Sequence, residues 1–259
     1  MSDTTRLADH LDSLGLSEWT YHREVTSTND IALSWAARGA RDWSLVLADS
    51  QSAGRGRFDR TWVTKPNSAL AMSMVLRPQA LEKPHMTRFT ALAALGLIQA
   101  LRHVGGDGQI KWPNDVLMNG KKVAGILVEA AWQADDVNGL VLGMGVNVTQ
   151  EAVPHQLRYP ATSLEAEISH PINRWELLAD IIREMMALRP ILTEQVFIEA
   201  WNASLAFRDQ WIHFKRRDHT VERLKLMGMT SDGCLSLQNE SGECDIAVEG
   251  EIMMLKVGC

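Results

Sequence analysis

Residues 51–62 read QSAGRGRFDRTW, and two glycines and three arginines (Arg55, Arg57, Arg60) crowd into the middle of that stretch. Glycine lets backbone approach a ligand closely, and arginine carries a permanent charge in a rigid planar fork. Joined in one loop, they suit a phosphate, or a carboxylate being linked to one. Just upstream, WSLVLAD at 43–49 is an apolar run of strand length, so the loop is predicted to leave the end of a buried strand. A second dense segment, KWPNDVLMNGKKVAGILVE, occupies 111–129, and its Asn119-Gly120 is the favoured pair for a two-residue hairpin turn. Together the two segments point to an enzyme that activates a carboxylic acid with a nucleotide.

Working outward, Leu7, Leu11 and Leu14 recur at helical spacing within the first 18 residues. A strand is predicted over 19–25, then a helix over 28–38, introduced by Ser27, Thr28 and Asn29 and closed by Gly39. ALAMSMVL at 69–76 is a further strand, and 84–102 is a helix with Met86, Phe89, Leu92, Leu95, Ile98 and Leu101 on one face. Strands at 123–131 and 137–148 complete the hairpin and add a neighbour. A helix over 174–188 carries Trp175, Leu178, Ile181 and Met185 in register, with Asn173 as its cap. Near 205–210 the pattern changes to short alternating strands with turn signals at Ser231-Asp232-Gly233 and Ser241-Gly242. The expected fold class is therefore α+β: a mixed α/β domain at 1–208, then a small all-β barrel at 209–259.

A chain of 259 residues can bury a core in each of two such domains. Its net charge of −6 argues against a general nucleic-acid-binding surface and makes the arginine cluster a local feature. By residue type alone that cluster also fits a solvated loop. No apolar run approaches the roughly 20 residues that cross a bilayer. The polar N-terminus lacks the order of a secretory signal. The cysteines, Cys234, Cys244 and Cys259, form no CxxC and have no histidine spacing, so neither a disulfide framework nor a metal cluster is expected. A cytoplasmic location follows as an expectation.

Four motifs, in order, resemble the biotin–protein ligase family: Ser27-Thr28-Asn29; Gln51 with Gly54-Arg55-Gly56-Arg57; Lys111-Trp112-Pro113-Asn114-Asp115 with Gly120-Lys121-Lys122-Val123-Ala124-Gly125; and Gly143-Met144-Gly145-Val146-Asn147. The resemblance runs from about residue 19 to the C-terminus. It implies a catalytic domain of the class II synthetase and biotin–lipoate ligase type followed by an SH3-like domain. It implies that biotin and Mg-ATP give biotinyl-5′-AMP, whose biotinyl group passes to a lysine of a biotin carboxyl carrier protein domain. Ser27, Thr28, Asn29 and Gln51 would bind biotin together with Gly54, Arg55, Gly56, Arg57, Lys122 and Gly125. Arg55 and Lys122 would neutralise the carboxylate and α-phosphate, and Asp115 would orient the acceptor lysine. Arg57 and Arg60 would steer the leaving phosphates, with Trp62, Lys111 and Asn147 on the nucleotide side and Tyr159 as a cover for adenine. The same resemblance gives biotin, ATP and Mg²⁺ as substrates and ion, no tightly bound prosthetic group and no identified metal ligands.

On residue type alone, Ser27 and Thr28 read as helix caps, Lys122 as an edge-strand lysine and Asn147 as a turn former. Phe58-Asp59 stands where many members have a second glycine, and Leu255, beside Lys256, stands where some have an arginine. Only 18 residues precede Trp19, so a form without the DNA-binding module of some members is expected, with no DNA or membrane partner. A homodimer is compatible with the family. The competing readings are a lipoate–protein ligase, which lacks the GRGR and KWPND strings, and a non-catalytic biotin sensor. The glycine–arginine loop, with little apolar surface, is expected to be mobile until ligand binds.

Overall fold

The structure, a computed structural model, describes residues 3–58, 60–62, 64–133, 136–154 and 159–253. Helices α1 (Asp3–Asp12), α2 (Thr28–Ala37), α3 (Arg88–His103), α4 (Leu164–Ile168), α5 (Arg174–Leu188) and α6 (Gln195–Ala203) accompany twelve strands. Seven of these, β1 (Glu18–Val25), β2 (Ser44–Gln51), β3 (Ala69–Leu76), β4 (Gln109–Lys111), β5 (Asp115–Met118), β6 (Lys121–Gln133) and β7 (Asp136–Asn147), form one sheet in the order β1-β2-β3-β7-β6-β5-β4. Among the described strands of this sheet, only the β1–β2 pair is parallel. Strands β8 (Trp211–Lys215), β9 (Val221–Met229), β10 (Leu235–Gln238), β11 (Cys244–Ala247) and β12 (Glu251–Met253) make a separate antiparallel sheet, the SH3-like part.

Why β3 is apolar along its length follows from what covers it. Leu70, Met72, Met74 and Leu76 join the core under α3 and α5, while Val75 faces Ala32 and Ala36 of α2 on the other side. A strand buried on both faces has no polar side to show. The hairpin turn is as expected: Asn119 and Gly120 both have positive φ, 48° and 73°, which this turn requires. Helix α5 starts where predicted, because the Asn173 carboxamide accepts hydrogen bonds from Trp175 N and Glu176 N. The helix predicted from 84 begins instead at Arg88, after a separate 3₁₀ turn at Lys83–His85. Pro84 supplies no N–H and restricts the residue before it, and Phe89 N still reaches back only three residues, to Met86 O.

The SH3-like sheet is locked to the first one by the Arg88 guanidinium, which donates to Ser231 O and Leu192 O, and by Trp112 against Phe214. Asp59, Leu255, Lys256 and Cys259 lie outside the described residues. Among the described residues no helix is long and apolar enough to cross a membrane.

Candidate active site

Strand β2 ends at Gln51 beside the start of α2, and this junction organises the polar end of a cavity. Ser27 holds the extended backbone of an N-cap, yet its side chain makes no cap hydrogen bond. Gln51 does that work: its Oε1 accepts from Thr28 N at 2.9 Å, and its Nε2 donates to Thr64 Oγ1 at 3.2 Å. The capping reading of Ser27 is thus not realised, and its buried side chain lines the cavity with Thr28 and Asn29. Asn29 Nδ2 donates to Glu129 Oε2 at 2.5 Å. Beneath them lies Ser73 of β3, its hydroxyl oxygen 2.7 Å from Thr28 Oγ1 and 2.6 Å from Asn29 Oδ1. Buried polar groups are tolerated when so bonded.

The glycines of β7 make room for side chains. A Cβ on Gly143 would stand 2.1 Å from Asn29 Oδ1, and one on Gly145 would stand 2.2 Å from Trp62 Cε2. The space those glycines leave is therefore filled by two residues of the cavity wall. The Trp62 indole N–H is buried without an acceptor among the described residues, and Lys122 Nζ lies 5.5 Å from the ring centroid. Gly54 stands behind the wall, its carbonyl accepting from Trp62 N.

Five cations line the same cavity: Arg55, Arg57, Arg60, Lys111 and Lys122. Arg55 bridges Asp30 (2.6 Å) and Glu129 (3.4 Å). Arg60 reaches Glu251 of β12 at 2.8 Å, so the SH3-like sheet contributes to the site. Arg57 is drawn below its ordinary pKa by burial, against the pull of Asp115, Glu249 and Glu251. That is the state of a desolvated cation short of counter-charge. Lys111, 3% exposed, is likewise held below the usual lysine range by burial, which outweighs Asp115. Asp115 serves two lysines at once, with Oδ1 at 2.6 Å from Lys122 Nζ and Oδ2 at 3.6 Å from Lys111 Nζ. Asn147 ends β7, buried, with Nδ2 donating to Thr162 O; it lines the cavity and forms no turn. Tyr159 does not line the cavity but borders its lysine end. Its hydroxyl donates to Met253 Sδ, and its ring lies 5.6 Å from Lys111 Nζ.

Ser73, Asp30, Glu129 and Glu251 were not anticipated. Ser73 was visible in principle, as the sole polar residue of ALAMSMVL. With Met72, Ile126 and Met144 adding apolar wall, the cavity can hold a molecule with a polar head, an apolar body and an anionic group.

The chain superposes on the biotin protein ligase from Aquifex aeolicus, solved in complex with biotin and ATP, with a TM-score of 0.78 at 23% identity over 92% of this chain and 98% of that one. Residues 21–147 match the Biotin/lipoate A/B protein ligase family. A biotin--[acetyl-CoA-carboxylase] ligase of Mycobacterium tuberculosis is 32% identical over 204 residues, 72% of this chain and 74% of the relative. The chain belongs to the biotin–protein ligase family. The bifunctional ligase/repressor BirA of Bacillus subtilis is 38% identical over 166 residues, and there the match spans only half the relative's length.

Proposed function

We propose that the chain is an ATP-dependent biotin–protein ligase acting through biotinyl-5′-AMP, with the catalytic part at 1–208, the SH3-like part at 209–259 and a cytoplasmic site of action. The observation that carries this reading is the cavity itself. In a chain of net charge −6, it gathers five cations beside a set of short polar side chains.

In the first step a biotin carboxylate oxygen attacks the α-phosphorus of ATP, the bond to the β-phosphate breaks, and pyrophosphate leaves. Two unit anions held 4 Å apart repel by about 4 kcal/mol at an effective dielectric of 20, about a thousandfold in rate. Arg55 and Lys122 offset that repulsion, Arg57 and Arg60 take the departing phosphates, and Lys111 adds charge on the nucleotide side. Ser27, Thr28 and Gln51 hold the ureido head, while Trp62 and Asn147 flank the nucleotide. Among the described residues no group of three or more His, Cys, Asp or Glu is placed to hold a metal. Magnesium would arrive with the nucleotide and supply further charge neutralisation at its phosphates. In the second step the amine of a carrier lysine attacks the biotinyl carbonyl, the bond to AMP breaks, and the nitrogen loses a proton. Free lysine has a pKa near 10.4, so Asp115, at the junction of two lysines, is suited to orient the amine and assist that loss.

Intact-mass analysis of a carrier domain incubated with the chain, biotin and Mg-ATP tests the proposal. One added biotinyl group is expected, with the rate down roughly 10²–10³-fold in Lys122→Ala. A mass gain only with lipoate, or tight biotin binding without transfer, overturns it.

A further inference from the structure

Ser73 does not line the cavity, but its hydroxyl touches two residues that do, Thr28 and Asn29. Asn29 Nδ2 lies 2.5 Å from Glu129 Oε2 and 3.5 Å from Leu127 O. Both neighbours are acceptors, so that edge of the amide is its NH₂. Asn29 Oδ1 then faces Ser73 Oγ at 2.6 Å, and an amide oxygen can only accept. The single Ser73 hydrogen is thereby committed. The 2.7 Å contact between the Ser73 and Thr28 hydroxyls must use the single hydrogen of Thr28. None is left for Gln51 Oε1, 3.2 Å from Thr28 Oγ1, which is served by Thr28 N instead. The Gln51 amide is itself oriented by Nε2 donating to Thr64.

We infer that Ser73 is a positioning residue for the substrate. It passes the fixed orientation of the Glu129–Asn29 pair to Thr28, so that Thr28 Oγ1 and Gln51 Oε1 meet the ligand as acceptors only. Such a surface selects N–H groups. The inference rests on the proposed function, in which the ligand's polar head is a cyclic urea with two N–H groups. Ser73 is 0% exposed and acts through Thr28, so its loss changes polarity without removing any ligand contact.

The test is ligand titration of the whole chain carrying Ser73→Ala or Ser73→Thr, using biotin and a biotin derivative methylated at a ureido nitrogen. In Ser73→Ala the Thr28 hydrogen is free to swing to Gln51 Oε1. Biotin affinity is expected to fall roughly tenfold or more, with KM for ATP within about twofold of wild type, as no cation has moved. The affinity ratio of biotin to its methylated derivative should shrink in Ser73→Ala, because the acceptor is no longer enforced; steric cost cancels in that ratio. Ser73→Thr, which keeps the hydroxyl, should restore the wild-type ratio. An unchanged ratio in Ser73→Ala, or equal loss of biotin and ATP affinity, overturns the inference. Failure of the wild-type chain to bind biotin instead overturns the function beneath it, and the inference with it.

Discussion

At Gly145 one missing side chain decides where Trp62 lies. A Cβ there would stand 2.2 Å from Trp62 Cε2 and 2.4 Å from Nε1, and an indole packed in a wall cannot yield as a lysine tail can. Gly145→Ala is expected to cost the ~1–3 kcal/mol of an overpacked site, seen as a lower melting temperature, and to weaken nucleotide binding. Trp62→Phe in the same chain should recover part of that loss, since contacting residues couple. Additive effects of the two changes would show that the ring is not the obstacle. At this scale the cations were legible, because arginines and lysines crowded into glycine-rich strings of an acidic chain have few structural uses. Their partners were not. Arg60 pairs with Glu251, 191 positions away, and Arg55 with Glu129, 74 away, and no local pattern joins residues so far apart. Ser73 escaped notice because it sat within an apolar run, where a small hydroxyl reads as filler.

Elements were legible in proportion to the number of turns or alternations that each displays. Helix α5 shows four turns of period and a cap, and its ends are as predicted. Asn173→Ala should lower stability by about 1 kcal/mol, measured by thermal or urea melts. An unchanged midpoint would mean that water caps the helix equally well. Helices α4, LEAEI, and α6, QVFIEAWNA, are too short to establish a period, and their assignment depends on tertiary packing. The glycine–arginine loop has ionic partners that its own sequence does not announce. Little apolar surface holds it, but Arg55 to Asp30 and Glu129, and Arg60 to Glu251, pin it by charge. Such partly exposed pairs contribute only about 0–1 kcal/mol each and are screened by salt. Tryptic cleavage within residues 55–60 should therefore accelerate as salt rises and slow when biotin and Mg-ATP are present. Salt-independent cleavage would mean that packing, not charge, holds the loop.

Across the whole molecule, the buried cation Arg189 helps tie the sheet to its covering helices. Arg189, at the end of α5, donates to Glu82 through Nε (2.8 Å) and Nη2 (3.0 Å), to both Asp42 oxygens through Nη1 (2.8 and 2.7 Å), and to Arg77 O. It thus joins the approach to β2, the end of β3, the segment before α3 and the end of α5. Glu82 and Arg189 side chains are each 8% exposed, so removing Arg189 leaves Glu82 a buried carboxylate without an ion partner, a loss of about 3–5 kcal/mol, whereas removing Glu82 still leaves Arg189 its pair with Asp42. Burial alone would raise the Glu82 pKa. Hydrogen bonds from Arg189 and Gln79 N outweigh it and hold the carboxyl below its ordinary 4.5. A carboxyl depressed in the folded state adds stability that is complete above its unfolded value and disappears as pH falls through the folded one. In Arg189→Met the same carboxyl loses its partner and keeps its burial, so its pKa moves up instead. The melting-temperature gap between wild type and Arg189→Met should accordingly be widest near pH 7. It should close between the raised pKa of the variant and the lowered one of the wild type, where the variant has already taken up its proton. A gap that stays constant down to about pH 3 would show that Glu82 is not the anion this clamp neutralises, and would leave Asp42 as the partner that holds the layers together.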